Sequence, residues 1–163
     1  MSPDRGEPDA PRVDVAAVLR EATGFLRTLD PQVQRSSREG VLLRLDAAPH
    51  LFNHLAGPHA AVIFGLGETA AFCLLLEIFG DLVRAGAVPL VKDAQISYAA
   101  IATGPLLAAA VLLDNERSAR ARFEQRGRAS FAMEVVFCRE VDSIETARCR
   151  YTMALLGPSG AQQ

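Results

Sequence analysis

The feature that most restricts the fold of this chain is one long segment, residues 59–84, that is apolar on nearly every face of a helix. A helix that is apolar all round must be surrounded by other structure. Between His59 at its start and Glu77 and Asp81 near its end, Glu68 is its only acidic or basic side chain. A membrane span is disfavoured, because a carboxylate at the centre of a bilayer costs about 2.5–3.5 kcal/mol. The segment is therefore predicted to be the central helix of a globular domain.

The segments on both sides of this helix resemble strands. Residues 39–47 alternate polar and apolar with a period of two. After the helix come four further strand-like segments, at residues 88–102, 106–113, 129–140 and 144–156. One strand, one buried helix and four more strands predict an α+β fold in which a curved antiparallel sheet wraps one long helix. A doubly wound parallel fold is disfavoured because it needs a helix after each strand.

The remaining segments define the domain organisation. Residues 1–12 are rich in proline and charge and are predicted to be a disordered tail, as are residues 158–163. Residues 13–30 show helical spacing of apolar residues, which predicts an N-terminal amphipathic helix packed on the main domain at residues 39–157. Asn115 is a plausible N-cap for a short surface helix that ends near residue 126.

Composition narrows the possible functions. The net charge is −2 and Trp is absent, which disfavours a nucleic-acid platform and an anionic membrane surface as partners. The N-terminus lacks the positive start and apolar stretch of a signal peptide, so a cytoplasmic location is expected. Cys73, Cys138 and Cys149 show no metal-binding spacing and are expected to be reduced core thiols.

Glu68 is the strongest candidate for an active group. A carboxylate buried in an apolar helix needs a partner or a raised pKa, and either would mark a functional site. The alternative is that Glu68 lies on a wet stripe of the helix or at a dimer seam, without a chemical role. Gly65 and Gly67 each weaken a helix, so they indicate close approach by a ligand, another backbone or the sheet.

Asn53, His59 and Glu68, in the stretch NHLAGPHAAVIFGLGE, resemble the Asn, His-Gly-Gly and acid motif of hotdog-fold acyl-CoA thioesterases. These thioesterases are of the phenylacetyl-CoA and 4-hydroxybenzoyl-CoA type. Within that family, the sequence is most similar to a poorly characterised branch of thioesterase-like proteins. The resemblance extends over residues 39–156 and includes the stretch QISYAAIATGPLLAAA. It implies the hotdog fold and hydrolysis of an acyl thioester of coenzyme A or of a carrier.

The resemblance also implies roles for individual residues. Glu68 would be the general base or nucleophile, and Asn53 would hold the attacking water or the carbonyl. His59 completes the motif at the helix start and is counted with the catalytic residues, although its ring is expected to bond to nearby backbone rather than to act as an acid or base. The oxyanion would be bound by a backbone N–H at Ala60 or Ala61, where the helix dipole favours negative charge.

Three departures from the family pattern are visible. Both glycines of His-Gly-Gly are alanines here, so the oxyanion turn must already be helical or have another shape. Ala100-Ile101 replaces an Arg-Pro pair at a strand end, which removes a phosphate contact for coenzyme A. Thr69 is an added polar neighbour of the acid and is counted with the substrate-binding residues.

The sequence predicts a homodimer, or a dimer of dimers, with the pocket at the dimer seam, because a small sheet on one helix leaves exposed edges. It predicts no metal and no cofactor beyond the coenzyme A of the substrate. Two other functions stay open: a non-catalytic module that binds an acyl chain or a protein, and a hydratase or dehydratase on the same fold. The chain has one cluster of basic residues, which can be interpreted as a solvated face or as a contact for the phosphates of coenzyme A. Its members are Arg117, Arg120, Arg122, Arg126 and Arg128.

Overall fold

A computed structural model describes residues 13–22 and 24–158 of the chain. The predicted tail at 1–12 lies outside the described residues, as does nearly all of the predicted C-terminal tail. The elements in chain order are α1 (Val15–Glu21), α2 (Gly24–Leu29), β1 (Gln32–Ser37), β2 (Gly40–Leu45), a 3-10 turn (Pro49–Leu51), α3 (Ala60–Arg84), β3 (Val88–Tyr98), β4 (Leu106–Leu112), α4 (Glu116–Arg126), β5 (Arg128–Arg139) and β6 (Glu145–Leu156).

The six strands form one antiparallel sheet with the order β1-β2-β4-β5-β6-β3, so β1 and β3 are its edges. The sheet wraps α3, and 15 of the 25 residues of this helix are buried. By length and apolarity α3 could cross a membrane, but 78% of its most apolar window is covered by the rest of the fold. The predicted α+β architecture, one long helix inside a curved antiparallel sheet, is confirmed.

The core faces of the last two strands follow from their alternation. In the antiparallel register Phe131 lies opposite Met153 and Phe137 lies opposite Ala147. These four side chains are at most 1% exposed and pack toward α3. Because side chains alternate across a strand, Ser130 and Ala154 turn to the outer face of the sheet. The alternation of side chains along these two strands therefore gives β5 and β6 one face in the core and one face turned outward.

The structure corrects the N-terminal part of the prediction. The single helix predicted over 13–30 is two short helices, because Ala22 leaves the helical conformation with ψ 150° and Gly24 adopts φ +60°. Strand β1, which was not predicted, follows directly. Its sequence, QVQRSS, is mostly polar and exposed, so it lacks the apolar alternation that indicates a strand. Its backbone pairing with β2 is what makes it a strand.

The predicted surface helix is present as α4. The side-chain oxygen of Asn115 accepts a 3.0 Å hydrogen bond from the N–H of Ser118, which confirms Asn115 as the N-cap. Gly127 ends the helix with φ +62°, a conformation that glycine adopts at little cost.

Candidate active site

One face of α3 is left uncovered by the sheet. In the first half of the helix the residues that are not fully buried recur at nearly every fourth position, which places them in one stripe along the axis. We call this the open stripe; its members are Ala60, Ala61, Phe64, Glu68 and Phe72. Two of the candidate regions, the oxyanion turn and the carboxylate, therefore share one face.

Glu68 is exposed within the single chain, which corrects the expectation of a buried carboxylate. The reason lies in the sheet: it covers most of α3 but leaves this stripe open. Its neighbours Gly67 and Thr69 face the protein interior and are buried. The position agrees with the alternative interpretation, in which the carboxylate lies on the wet stripe or at a dimer seam.

An apolar pocket of about 290 Å³ lies beside Glu68. Thr69 belongs to its wall, and the hydroxyl of Thr69 donates a 2.8 Å hydrogen bond to the carbonyl of Gly65, so its polar atom is satisfied by the helix itself. Val62 and Leu66 of the same helix do not belong to the lining, because they are buried in the core. The other lining residues are Phe25, Leu26, Phe72, Pro89, Leu90, Val91 and Met153.

The two glycines that precede Glu68 allow close packing. A Cβ on Gly67 would lie 2.5 Å from the Phe137 ring and 2.5 Å from the hydroxyl oxygen of Tyr151. A Cβ on Gly65 would lie 2.4 Å from the ring of Phe25 in α2. The predicted close approach is therefore made by the sheet at one glycine and by the N-terminal segment at the other.

The N-terminus of α3 is organised by His59. Its Nδ1 accepts a 3.1 Å hydrogen bond from the N–H of Ala61, so the expectation that the ring bonds to nearby backbone is confirmed. The carbonyl of His59 accepts the N–H groups of Val62 and Ile63. Within the described residues the N–H of Ala60 has no hydrogen-bond acceptor. Of the two predicted oxyanion donors, Ala60 is the one that is not already engaged.

Asn53 is held in the loop that leads to α3. Its side-chain oxygen accepts a 2.8 Å hydrogen bond from the N–H of Leu55, and its own N–H donates to the carbonyl of Gly57 at 2.8 Å. The loop closes on itself because the N–H of His59 donates to the carbonyl of Leu51. Asn53 and His59 thus belong to one compact loop at the start of the helix, with the side-chain oxygen of Asn53 occupied by a turn.

Tyr98 is a residue of this region to which the sequence assigned no role. Its hydroxyl donates a 3.1 Å hydrogen bond to the carbonyl of Ala60. Burial, together with the neighbouring Cys149, raises the pKa of Tyr98, so the phenol stays protonated and able to donate. A tyrosine at the end of a strand carries no local signal of this contact, because the contact depends on how β3 meets the helix.

The structure does not bring Ala60 and Glu68 to one point within a single chain. They lie on the same helix eight positions apart, which corresponds to about 12 Å along the axis at about 1.5 Å per residue. A hydrogen bond requires about 3 Å. One thioester carbonyl therefore cannot contact both groups of the same copy.

In the described part of the chain, His, Cys, Asp and Glu side chains form no group of three or more that could bind an ion. The three cysteines are free, and Cys73 and Cys149 are buried. Burial raises the pKa of Cys73 to about 12, with Glu77 adding to the effect, so it is an inert thiol rather than a nucleophile.

A family model described as a domain of unknown function, DUF4442, matches residues 12–155. Solved structures share the fold over most of their length. A protein of unknown function from Pseudomonas aeruginosa, described as a probable thioesterase, has 23% identity and a TM-score of 0.75 and covers 87% of this chain and 93% of its own. A thioesterase family protein from Silicibacter pomeroyi has 14% identity and a TM-score of 0.68, covering 87% and 98%.

A third structure, of a protein with unknown function from Chlorobaculum tepidum, has 12% identity and a TM-score of 0.77 and covers 88% of this chain and 92% of its own. A search of curated proteins found no match. The identities are below 25%, so these likenesses bear on the fold alone: the chain has the hotdog fold that its resemblance implied.

Proposed function

This chain belongs to the DUF4442 family, and we propose from that premise that it is a thioesterase that hydrolyses an acyl thioester of coenzyme A or of a carrier. The observation that carries the proposal is the position of Glu68. It is the only carboxylate on the open stripe of a helix that is otherwise core, and it borders a pocket of mostly apolar walls. Such a pocket suits an aliphatic or aromatic acyl chain.

The proposed chemistry needs a base and an oxyanion site. Glu68 takes a proton from water, the resulting hydroxide attacks the thioester carbonyl, and the tetrahedral oxyanion is bound by the N–H of Ala60. Collapse of the intermediate breaks the C–S bond, and the leaving thiolate receives the proton that Glu68 took from water, which regenerates the carboxylate. Attack by the Glu68 carboxylate itself, through an anhydride that water then opens, is the covalent form of the same reaction. Neither form requires a cofactor beyond the substrate.

The alanines that replace the family glycines are compatible with this chemistry. Ala60 and Ala61 lie in helical backbone, and neither is among the described residues with positive φ. Their amides therefore point out of the helix end without the left-handed turn that only glycine adopts easily. Asn53 is assigned to positioning, because its side-chain oxygen already accepts a hydrogen bond in the loop.

The reaction requires two copies of the chain. Since Ala60 and Glu68 of one copy are about 12 Å apart along α3, the base that acts with one Ala60 must come from a partner subunit. Strand β3 offers the means of pairing: it is a sheet edge of 11 residues, with Leu90 and Tyr98 about half exposed. Pairing of two such edges about a two-fold axis would cover them and form a homodimer.

A second candidate is a non-catalytic module that binds an acyl chain. It is favoured by the exposure of Glu68 in the single chain and by the engagement of the Ala61 amide with the His59 ring. The two candidates differ in one measurable respect. The module binds an acyl-CoA without releasing thiol, and its binding is unchanged by Glu68→Gln.

The experiment is a panel of acyl-CoA substrates, from short aliphatic to aromatic, followed by release of free thiol from the purified protein. Wild type and Glu68→Gln are compared on the best substrate. We expect the variant to lose about a hundredfold or more in kcat, the usual range for removal of a general base, and Glu68→Asp to lose less. Glu124→Gln, on exposed α4, is the matched control and should retain full turnover.

Glu68 is exposed, so its neutralisation should change the free energy of unfolding by no more than about 0.5 kcal/mol. Loss of turnover can then be separated from loss of structure by urea unfolding of the same samples. Full turnover by Glu68→Gln on a substrate that the wild type hydrolyses would reject this carboxylate as the catalyst.

A further inference from the structure

The N-terminal segment of the chain, which carries α1 and α2, is fitted onto α3 at two glycines. A Cβ on Gly80 would lie 2.6 Å from a methyl carbon of Val13, and a Cβ on Gly65 would lie 2.4 Å from the ring of Phe25. Both distances are too short for a Cβ contact, so each glycine leaves the room that one side chain of the segment fills. Because Val13 lies at the later glycine and Phe25 at the earlier one, the segment runs antiparallel to α3.

The last turn of α2 is anchored to the rest of the domain. Leu29 is 2% exposed and belongs to the core. The carbonyl of Thr28 lies 3.4 Å from Nε2 of His50, in the 3-10 turn. Phe25, one turn earlier, differs from Leu29 because it is 55% exposed. Its ring is therefore held against α3 by an anchored helix while much of its surface remains in contact with solvent.

The same ring is part of the wall of the pocket of about 290 Å³ beside Glu68, which we call the acyl pocket. Phe25 and Leu26 are the lining residues that come from α2, and the others come from α3, β3 and β6. Because more than half of Phe25 is exposed, its ring lies between the pocket and solvent. The wall made by α2 is separate from the wall made by β3. A chain that extends past Phe25 therefore does not cross the edge that pairs in the proposed homodimer.

The other walls of the acyl pocket are parts of the core. Met153 is 1% exposed and Thr69 is 4% exposed. Pro89 is fixed in the sheet opposite Leu155 of β6. Protein interiors are close-packed, so such side chains cannot move aside for a longer ligand. Phe25 has solvent on one side, so the size of its side chain can change without a cavity in the core.

We propose that Phe25 is the specificity-determining residue of the acyl pocket and that its ring limits the length of the chain that the pocket accepts. The inference rests on the proposed function for the identity of that chain as the acyl group of a thioester. A carbon of an alkyl chain takes roughly the volume share of a water molecule, about 30 Å³. A pocket of about 290 Å³ therefore accepts roughly ten carbons before the chain meets the ring.

Gly65 offers a second way to displace the same ring. It does not belong to the lining of the acyl pocket, and it lies one helical turn before Glu68. The methyl group of an alanine there would take the place of the edge of the Phe25 ring, which must then move toward solvent. Gly65→Ala should therefore relax the length limit as a smaller side chain at position 25 does, although the ring itself is intact.

Binding is measured by titration calorimetry with primary alkylammonium ions of about 4 to 14 carbons. The ammonium group complements the Glu68 carboxylate, the chain enters the apolar pocket, and the probe has no bond to hydrolyse. Each methylene that becomes buried should tighten binding about fourfold. For the wild type we expect the affinity to rise up to about ten carbons and then to level off. For Phe25→Ala the rise should continue, so the ratio of Kd at 10 carbons to Kd at 14 carbons should increase at least about tenfold.

Two further variants separate the ring from the general packing of the N-terminal segment. Gly65→Ala should shift the length profile in the same direction as Phe25→Ala. Val18→Ala is the matched control, because Val18 of α1 packs on the core but does not line the pocket. It should keep the length profile of the wild type.

Thiol release from acyl-CoA substrates of the same lengths tests the proposed function separately. Phe25→Ala should raise kcat/KM for long acyl groups relative to short ones, mainly through KM. If the alkylammonium profile shifts but no thioester is hydrolysed, the length limit stands and the proposed function falls. If thiol is released with the same length profile by the wild type and Phe25→Ala, the proposed function stands and the inference falls.

Two binding results would also overturn the inference. One is a wild-type affinity that does not depend on chain length, which would show that the pocket accepts no chain. The other is an equal shift in Phe25→Ala and Val18→Ala, which would assign the effect to loosening of the whole N-terminal segment.

Discussion

The hydroxyl of Tyr98, at the end of β3, donates a 3.1 Å hydrogen bond to the carbonyl of Ala60, the first residue of α3. The contact joins the exposed edge strand of the sheet to the helix end that carries the proposed oxyanion donor. Any pairing of β3 with a second copy therefore acts directly on the position of Ala60.

Replacement of Tyr98 by Phe tests this coupling. The ring remains and one hydrogen bond is lost, so the free energy of unfolding should fall by about 0.5–1.5 kcal/mol. Because the Ala60 peptide is then less firmly held, kcat should fall several-fold with little change in KM. Thiol-release kinetics and urea unfolding of the same preparation measure both effects. An unchanged kcat would show that the hydrogen bond does not position the helix end.

Replacement of Ala60 by Pro removes the proposed oxyanion donor and little else. Proline is well tolerated at the first helical position, and the preceding His59 already has φ −63° and ψ 146°, the conformation that a following proline requires. We expect a loss of about 10²–10³ in kcat, as for removal of one oxyanion donor, with a nearly unchanged Tm. Circular dichroism measures the Tm and the thiol-release assay measures kcat, so an effect on stability can be told from an effect on catalysis. Retention of full activity would exclude the Ala60 amide from catalysis.

The two-copy site can be tested by complementation. Subunits that carry Ala60→Pro and subunits that carry Glu68→Gln are each expected to be inactive alone. If the amide and the carboxylate of one site come from different subunits, random mixing regenerates about one quarter of the wild-type sites in the mixed dimers. If both groups came from the same chain, the mixed and refolded subunits would show no recovery of thiol-release activity.

Gly67 and Gly65 should respond differently to alanine. At Gly67 the added Cβ meets Phe137 and Tyr151, which are fully buried and cannot move easily, so a loss of about 1–3 kcal/mol is expected. At Gly65 it meets Phe25, which is 55% exposed and free to turn away, while the helix gains about 1 kcal/mol in propensity. Gly65→Ala should therefore be near neutral in urea unfolding. Equal destabilisation by Gly67→Ala and Gly65→Ala would contradict this prediction.

The ion pair of Asp81 with Arg120 should contribute to the pH dependence of stability. Burial acts to raise the pKa of Asp81, but hydrogen bonds and charge from Arg120 outweigh it and lower the pKa overall. A carboxyl with a lowered pKa in the folded state stabilises the fold above its unfolded pKa, and this contribution is lost as the pH falls through the folded value.

Asp81→Asn should thus lower the free energy of unfolding near neutral pH, and the difference from the wild type should shrink below about pH 4. Urea unfolding at a series of pH values checks this, with Glu124→Gln as the control, because Glu124 is exposed and forms no ion pair within the described residues. A difference that stays constant down to acid pH would show that Asp81 contributes through packing rather than through its charge.

Several features of this protein follow from the sequence by itself. The length and apolarity of residues 59–84 require a wrapped central helix, and the alternation of residues 129–140 and 144–156 determines which side chains of β5 and β6 enter the core. The N-cap role of Asn115 and the backbone bond of His59 are also local, since each involves an amide two or three residues away. Hydrophobic periodicity and helix capping depend on residues that are close together in the sequence, so a single sequence is enough to predict them.

Other features were decided only by the tertiary structure. Strand β1 exists through its pairing with β2, although its own residues are mostly polar. Glu68 is exposed because the sheet leaves one stripe of α3 open, and helical periodicity cannot reveal which stripe when every face is apolar. The contact between Tyr98 and Ala60 joins residues 38 positions apart. Such distances are set by the curvature of the whole sheet, which is a property of all six strands together rather than of any segment.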